Sequence, residues 1–254
     1  MEHWVADREA PIIYETSLDS TNLRLKTLAE RGAEEGTVVI TGRQTAGRGR
    51  LGRIFESPKG GLYLSMLLRP SCALEQVSNI SALAAVAVCR AIREETGLQP
   101  GIKWPNDIVL NGRKLCGILV ESSSEGAGCR LVVGIGINVN TAREAFPEEL
   151  RAIACSVLTE TGRETDNRKL SRQLVKELDA LYAVWKEDSL FFLDEYRALC
   201  VNCGREVLVI RDENRSALAL AVNDDCSLRV RYPDGREEDI RFGEVSVRGM
   251  LGYV

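Results

Sequence analysis

The chain has 254 residues, of which 44% are hydrophobic, which is enough for one large domain with a small companion and a packed core. Its formal net charge is -4, so no global positive field attracts polyphosphate, and any nucleic-acid binding would have to be local. The longest apolar run, Ala82 to Cys89, is too short to cross a bilayer, and Met1 to Arg8 lack the features of a signal peptide, so we expect a cytoplasmic protein without membrane contact.

The cysteines and the single histidine do not form a recognisable metal motif. Eight cysteines are scattered along the chain, and in a reducing compartment they are typical of small buried side chains rather than disulfides. Cys200 and Cys203 form one Cys-x-x-Cys pair without a second pair, and the histidine is His3. A structural zinc ion needs four ligands, so the sequence predicts no fixed site made by protein ligands alone. Whether Cys200 and Cys203 have any role stays open.

The first predicted elements are a short strand at Tyr14 and a helix that begins at Ser20, Thr21 and Asn22 and ends at Gly32. Residues of this polar type cap helices, because their side chains accept hydrogen bonds from free backbone N–H groups. Capping explains one such residue at a helix start. Three in a row leave donors and acceptors for a ligand.

A loop rich in arginine and glycine, residues 43–53, joins a predicted strand over residues 36–41 to a predicted buried strand over residues 62–68. The loop holds four arginines, three glycines and no acid. Glycine lets the backbone lie close to a ligand, and arginine supplies planar donor forks for anions. The pattern predicts an anion-binding loop with a rigid base and a mobile tip. On this segment alone, a solvated basic turn or a nucleic-acid hook stays open.

Apolar residues at helical spacing predict a core helix from Val77 that Gly97 ends. Further on, an apolar strand from Leu131 to Asn140 contains Gly134 and Gly136. This Gly-x-Gly lacks the third glycine and the following helix of a dinucleotide fingerprint. Glycines inside a buried strand indicate the close approach of a ligand or of another backbone.

A hairpin is predicted between these two elements, with strands over residues 108–110 and 115–120. The pair Asn111-Gly112 supplies both left-handed positions of a type I′ turn. Three charged residues flank the strands, and the register predicts that they meet at one end of the hairpin. They are Lys103, Asp107 and Lys114.

The last part of the chain is helical and then rich in short strands. A long amphipathic helix follows the cap residues Asp166 and Asn167, and a second helix is predicted over residues 190–199. From Gly204 short apolar segments alternate with turns, which predicts a small β-barrel. Its strands are predicted over residues 207–210, 217–222, 228–232, 240–242 and 245–247. We therefore predict two domains, residues 1–203 and 204–254.

Residues 43–53, the run Lys-Trp-Pro-Asn-Asp at 103–107 and the segment 113–121 together resemble the biotin-protein ligase family. The resemblance covers nearly all of the chain from Tyr14 onward and is strongest over these three segments. It implies an α+β fold of the class II synthetase and biotin ligase type, with helices on a mixed or antiparallel sheet and a C-terminal SH3-like barrel. It also implies a monofunctional member without DNA binding, because the thirteen residues before Tyr14 are too few for a winged helix-turn-helix.

The activity implied by the resemblance has two steps. ATP activates biotin to biotinyl-5′-adenylate, and the biotinyl group then passes to a lysine of a biotin carboxyl carrier protein of acetyl-CoA carboxylase. ATP and biotin are the implied substrates, and Mg²⁺ bridges phosphate oxygens in chemistry of this kind. No protein nucleophile is required, and no nucleophile motif is present. The identity of the acceptor and the formation of a homodimer stay open.

The resemblance also implies three sets of site residues. The implied biotin-binding residues are Ser20, Thr21, Asn22, Gln44, Arg48, Gly49, Arg50, Lys103, Gly117 and Gly136. The implied ATP-binding residues are Arg48, Arg50, Lys103, Lys114 and Asn138. The implied catalytic residues are Arg50, Lys103, Asp107 and Lys114. Asp107 would accept a proton or fix the two lysines by ion pairing, and Trp104 would be a core residue or a wall of the biotin channel.

Two other functions stay open at this point. A lipoate-type ligase shares the fold and the adenylate chemistry, but such ligases usually carry a His-Asp pair that a single histidine at position 3 cannot supply. A catalytically idle, nucleic-acid-binding adaptor would use the basic loop, but it would not need Lys103, Asp107 and Lys114. Ordering nine loop residues costs about 1 to 2 kcal/mol each, so we also expect the loop to be mobile without a ligand.

Overall fold

The first sheet contains seven strands and carries the helices of the larger part of the molecule. The computed structural model describes residues 8–125, 128–211, 213–241, 246–249 and 253. The strands of this sheet are β1 Ile12–Glu15, β2 Val38–Thr41, β3 Leu62–Leu68, β4 Gly101–Lys103, β5 Asp107–Leu110, β6 Arg113–Glu125 and β7 Gly128–Ile137. Their order is β1-β2-β3-β7-β6-β5-β4, with β1 and β2 parallel and the other pairs antiparallel. The predicted mixed sheet is confirmed.

Five α-helices accompany the two sheets in the described part of the chain. They are α1 Thr21–Glu30, α2 Ile80–Thr96, α3 Val157–Thr161, α4 Asn167–Trp185 and α5 Leu193–Leu199. Helix α2 is the central core helix, because small apolar side chains let it pack closely against α4 and the sheet. It ends at Gly97, whose φ is 73°, as predicted. It begins after the predicted Val77, since residues 74–77 form a separate 3₁₀ turn.

The predicted hairpin is present as β5 and β6. Asn111 and Gly112 have φ values of 49° and 74°, as a type I′ turn requires. An irregularity between Ile108 and Val109 shifts the register of β5 against β6, so that Asp107 lies opposite Gly117. On its other side, Asp107 lies opposite Lys103 of β4. The lysine at position 114 therefore has to reach along the strand to approach Asp107.

The second sheet contains five antiparallel strands, β8 Glu206–Ile210, β9 Arg215–Val222, β10 Leu228–Arg231, β11 Glu237–Ile240 and β12 Ser246–Gly249. Their order is β11-β10-β9-β8-β12, which fits the predicted small β-domain. The predicted strand over residues 240–242 is wrong in position, because β11 has the charged sequence Glu-Glu-Asp-Ile and pairs with β10 over residues 237–240. Phe242 and Val245, on which two predicted strands depended, lie outside the described residues. The division at residues 203 and 204 stays a prediction.

The two sheets are joined directly behind the predicted site. The backbone N–H of Trp104 donates to Asn202 Oδ1 at 2.7 Å, and its indole N–H donates to the carbonyl oxygen of Cys226 at 2.9 Å. Trp104 is 1% exposed. None of the described helices combines the length and the apolar character that crossing a membrane would need.

Candidate active site

A cavity of about 310 Å³ lies between the basic loop, the hairpin and strand β7. This volume is at the lower end of the range for small-molecule sites. The cavity brings together twelve predicted site residues, Ser20, Thr21, Asn22, Gln44, Arg48, Gly49, Arg50, Lys103, Asp107, Lys114, Gly117 and Gly136. Segments that are far apart in the sequence thus contribute to one site. The role of each residue stays a prediction.

The floor of the cavity is a pair of glycines covered by an aromatic ring. Gly117 and Gly136 lie opposite each other on β6 and β7. A Cβ added at Gly136 would lie 2.6 Å from Phe55 Cε1, and one added at Gly117 would lie 2.8 Å from Phe55 Cε2. Both positions therefore need glycine if the ring is to stay in place. Sequence reasoning missed Phe55, although an aromatic residue next to a glycine-rich loop is a usable signal.

The polar end of the cavity is organised by Gln44. Its Oε1 accepts hydrogen bonds from the Thr21 backbone N–H at 2.8 Å and from the Thr21 hydroxyl at 3.2 Å, and its Nε2 donates to Ser57 Oγ at 3.0 Å. The Ser20 side chain makes no capping hydrogen bond, so a loop residue satisfies the start of α1 instead. Ser65, which was not predicted, donates to Asn22 Oδ1 at 2.5 Å.

Glu121 connects the basic loop to this polar end. One carboxylate oxygen accepts from Asn22 Nδ2 at 2.8 Å, and the other lies 2.6 Å from Lys26 Nζ and 3.7 Å from Arg48 Nη1. Burial alone would raise the pKa of Glu121, but these three partners outweigh it and lower the pKa. Glu121 is therefore a carboxylate that holds Arg48 against β6. Sequence reasoning missed this role, because the contact joins residues far apart in the chain.

Arg50 and Asn106 link the tip of the loop to the turn before β5. Arg50 Nη1 donates to Asn106 Oδ1 at 3.0 Å, and Asn106 Nδ2 donates to the carbonyl oxygen of Ile118. Burial lowers the pKa of Arg50, and the charge of Asp107 opposes that change. The guanidinium stays a cation that faces the cavity. Asn106 was predicted only as part of a motif.

The charged end of the cavity is built around Asp107. Its Oδ1 lies 2.6 Å from Lys114 Nζ, and its Oδ2 accepts a hydrogen bond from the Tyr253 hydroxyl. Burial would raise the pKa of Asp107, but Lys114, Tyr253 and Lys103 together hold it below its ordinary value. Because both oxygens are engaged and the lowered pKa makes the carboxylate a weaker base, this geometry favours fixing the lysines over accepting a proton.

Lys114 reaches Asp107 because Gly117 has no side chain. The position that a Cβ would take at Gly117 lies 3.2 Å from Lys114 Cε and from Nζ. The lysine side chain thus crosses the glycine to approach the carboxylate. Sequence reasoning predicted the clustering of the charged groups, which the structure shows, but it did not find this path or Tyr253.

Two predicted residues have structural contacts that sequence reasoning left undecided. Asn138 is not one of the described residues that line the cavity. Its Nδ2 donates to the carbonyl oxygen of Cys155 at 3.0 Å. Its contact with adenine therefore stays a prediction without support from this geometry. Trp104 was expected to be a core residue or a cavity wall, and it is both, since it is buried and lines the cavity.

No group of three or more His, Cys, Asp or Glu side chains suited to a metal ion occurs within residues 8–125, 128–211 and 213–241. Among the described residues that line the cavity, Asp107 is the only carboxylate, and both of its oxygens are engaged.

Comparison with known proteins identifies the family. The profile of the Biotin/lipoate A/B protein ligase family matches residues 14–138, and that of the Biotin protein ligase C terminal domain matches residues 203–248. The biotin--[acetyl-CoA-carboxylase] ligase of Paracoccus denitrificans is 33% identical over 229 residues, which are 86% of this chain and 93% of the relative. The chain belongs to the biotin-protein ligase family.

Other members of the biotin-protein ligase family match over different lengths. The bifunctional ligase/repressor BirA of Bacillus subtilis is 45% identical over 157 residues, 61% of this chain and 48% of BirA. The match thus spans about half the length of that relative. The biotin protein ligase of Aquifex aeolicus, solved in complex with biotin and ATP, superposes with a TM-score of 0.82 at 30% identity, covering 95% of this chain and 100% of the other.

Proposed function

We propose that this chain is an ATP-dependent biotin-protein ligase. A carboxylate oxygen of biotin attacks the α-phosphorus of ATP, which forms biotinyl-5′-adenylate and releases pyrophosphate. The ε-amine of an acceptor lysine then attacks the acyl carbon, forming an amide and releasing AMP. Membership of the family supports this reaction, as do the names of relatives from Paracoccus denitrificans and Mycobacterium tuberculosis.

The observation that carries the proposal is the arrangement of side chains along β7 and across to its neighbour β6. Asn22 lies against Gly134, Phe55 lies against Gly136, and Lys114 crosses Gly117, which is paired with Gly136. Two residues along a strand span about 7 Å and neighbouring strands lie about 5 Å apart, so neutral polar groups, an aromatic surface and a cation occupy adjacent parts of the cavity floor. A ligand with a neutral polar ring, an apolar chain and an anionic end matches this order. Biotinyl-adenylate is such a ligand.

The cations would act by positioning and by charge stabilisation. We propose that Lys103 binds the biotin carboxylate and then the bridging oxygens of the adenylate, and that Lys114 binds the phosphates and the leaving pyrophosphate. Arg48 and Arg50 would close over the acyl phosphate. Such groups stabilise the charge that develops in the transition state and need no covalent intermediate with the protein.

Mg²⁺ would enter with ATP as part of the substrate. The described residues offer no cluster of protein ligands for it, and the carboxylate of Asp107 is engaged by Lys114 and Tyr253. The phosphate oxygens of ATP would therefore hold the ion, which neutralises part of their charge. The chain contributes the lysines and arginines around them.

The polar end of the cavity favours biotin over lipoate. Thr21, Asn22 and Gln44 present hydroxyl and amide groups, which match a neutral ureido ring and have no partner on an apolar dithiolane ring. A nucleic-acid adaptor is less well supported, because Arg48 is held by Glu121 and Arg50 by Asn106, both at the cavity. The acceptor that we propose is a biotin carboxyl carrier domain.

Exchange of labelled pyrophosphate into ATP tests the proposal. We expect exchange that depends on biotin and is not supported by lipoate, followed by transfer of labelled biotin to a carrier domain but not to its Lys→Arg variant. Exchange with lipoate in place of biotin would identify a lipoate-type ligase. Absence of exchange together with salt-sensitive binding of nucleic acid would identify an adaptor.

A further inference from the structure

Tyr253 lies at the C-terminal end of the chain and reaches the charged end of the cavity. Its hydroxyl donates to Asp107 Oδ2, 146 positions away in the sequence. Its ring centroid lies 3.7 Å from Lys103 Nζ and 5.8 Å from Lys114 Nζ. One side chain therefore contacts the three charged residues around which this end of the cavity is built.

The ring and the hydroxyl of Tyr253 have separate consequences. Lys103 is 5% exposed, and a buried ammonium is costly unless its charge is stabilised. The negative face of an aromatic ring at 3.7 Å supplies such stabilisation and fixes the direction of the ammonium. The hydroxyl engages the oxygen of Asp107 that Lys114 does not, so the carboxylate is held at both ends.

The register of the sheet makes these two contacts one unit. Lys103 and Asp107 are direct neighbours across β4 and β5, and Tyr253 spans them. Displacement of the ring would remove its contact with the Lys103 ammonium, and loss of the hydroxyl would remove a hydrogen bond from Asp107, which in turn holds Lys114. Both lysines thus depend on one residue from outside the first sheet.

We propose that Tyr253 is a positioning residue of the ligase reaction: its ring aims Lys103 at the carboxylate and acyl phosphate, and its hydroxyl holds Asp107 so that Lys114 faces the phosphates. This inference rests on the proposed function for the identity of those anions. It assigns to the C-terminal end of the chain a part in the chemistry that takes place on the first sheet.

Two substitutions separate the ring from the hydroxyl. Tyr253→Leu removes both, and we expect the KM for biotin in the exchange reaction to rise about two- to thirtyfold, the range of a cation–π contact. Tyr253→Phe keeps the ring and should recover most of that affinity. Its effect should appear in the pH profile, because Asp107 then loses a hydrogen bond to its charged form and its pKa rises.

The groups that face Asp107 set the direction of the pH effect. They are Lys103, Lys114, Arg50 and Tyr253. The three cations stay in Tyr253→Phe, so Asp107 stays ionised near neutral pH. The acid limb of kcat/KM should move to higher pH, because protonation of Asp107 then begins at a higher pH.

Tyr232→Phe is the matched control. The Tyr232 hydroxyl donates to Glu238 Oε2 at 2.9 Å within the second sheet, away from the cavity. The Tyr232→Phe variant should have the same KM for biotin, and the same acid limb of kcat/KM, as the unsubstituted protein. Thermal unfolding of every variant distinguishes a general loss of stability from a displacement of Lys103 and Asp107 in a folded protein.

An NMR titration of the Asp107 carboxyl carbon, without substrates, tests the inference independently of the proposed function. A higher pKa in Tyr253→Phe, together with the KM pattern, supports the positioning role. An unchanged pKa, or a KM for Tyr253→Leu equal to that of Tyr232→Phe, overturns it. If the unsubstituted protein shows no biotin-dependent exchange, the proposed function fails, and the titration still decides whether Tyr253 holds Asp107.

Discussion

Phe55 places its ring over two glycines of the sheet, and the distances leave no room for a methyl group at either position. The ring forms the apolar stretch of the cavity between the polar end at Asn22 and the lysines. Gly136 is therefore a position where a single added carbon should change ligand binding more than it changes the fold, because the ring can move into the cavity.

Gly136→Ala tests this packing. The added Cβ would lie 2.6 Å from Phe55 Cε1, so the ring must shift toward the space that the ligand occupies. We expect the affinity for biotin to fall by about 1 to 3 kcal/mol, the usual cost of overpacking. Isothermal titration calorimetry measures this affinity for biotin. Gly42→Ala is the control, since its nearest contact would be at 3.9 Å, and equal affinities in the two variants would contradict the role of Phe55.

Glu121 gives a prediction about stability and pH. Its pKa in the folded protein is below the ordinary 4.5, so its carboxylate stabilises the fold above that pH, and the contribution is lost as the pH falls through the lowered pKa. Glu121→Gln removes this contribution. Urea titrations should therefore show the largest loss of unfolding free energy near about pH 7 and a smaller loss near about pH 3. The exposed Glu149→Gln serves as control, and a loss that does not depend on pH would contradict the prediction.

At the scale of elements, the basic loop is the segment on which we expect retention of the adenylate to depend. Arg48 is held by Glu121 and Arg50 by Asn106, so the loop has one anchor on β6 and one on the turn before β5. Leu51, which directly follows Arg50, is 66% exposed. The predicted mobility of the loop without a ligand stays a prediction, and hydrogen exchange with and without biotin and ATP would measure it.

Arg50→Gly should let the adenylate escape. The variant loses a charged group worth about 1.5 to 3 kcal/mol in a hydrogen bond, so we expect release of biotinyl-adenylate to become roughly 10- to 100-fold faster. The measurement is biotinylation of a bystander protein without a carrier domain. Arg43→Gly is the control, because Arg43 is exposed and does not line the cavity. Release at the rate of the control would remove Arg50 from this role.

The elements that the sequence predicted well are those with a local cause. Strand β3 has the predicted bounds, Gly97 ends α2, and Asn111-Gly112 forms the turn of the hairpin, since each depends on a few neighbouring residues. The short helix α3 was not predicted, and β11 was misplaced, because its charged sequence lacks the apolar pattern of a strand and its pairing partner β10 is a separate segment.

The candidate site shows the same difference between features with a local cause and features that depend on distant residues. The motifs predicted both lysines, two of the three arginines and three of the four glycines that line the cavity, and Arg53 and Gly134 were missed. Phe55, Glu121 and Tyr253 were missed, because their contacts cross the sheet or come from the end of the chain. Local sequence patterns carry no information about such contacts, which arise only when the chain folds.

At the scale of the whole molecule, the important feature is a hydrogen bond between the second sheet's Cys226 and Trp104, which lies in the wall of the candidate site. Trp104 lines the cavity and follows Lys103, and its indole donates to Cys226 between β9 and β10. Its backbone N–H donates to Asn202 just before the second sheet. The position of Lys103 is thus coupled to the C-terminal part of the chain through Trp104 as well as through Tyr253.

Trp104→Phe tests this coupling. The phenyl ring keeps most of the apolar contact, but the buried carbonyl oxygen of Cys226 loses its hydrogen bond, which costs about 1 to 3 kcal/mol. We expect a lower free energy of unfolding in urea and, because the indole also lines the cavity beside Lys103, weaker binding of biotin in calorimetry.

Trp185→Phe separates the two effects. The Trp185 indole donates to Asn79 Oδ1 at 2.9 Å, is also buried, and does not line the cavity. This variant loses a comparable buried hydrogen bond, so its stability should fall by a similar amount while biotin affinity stays the same. If both variants bind biotin equally well, Trp104 only stabilises the fold. If Trp104→Phe alone binds biotin more weakly, the junction between the sheets contributes to the geometry of the site.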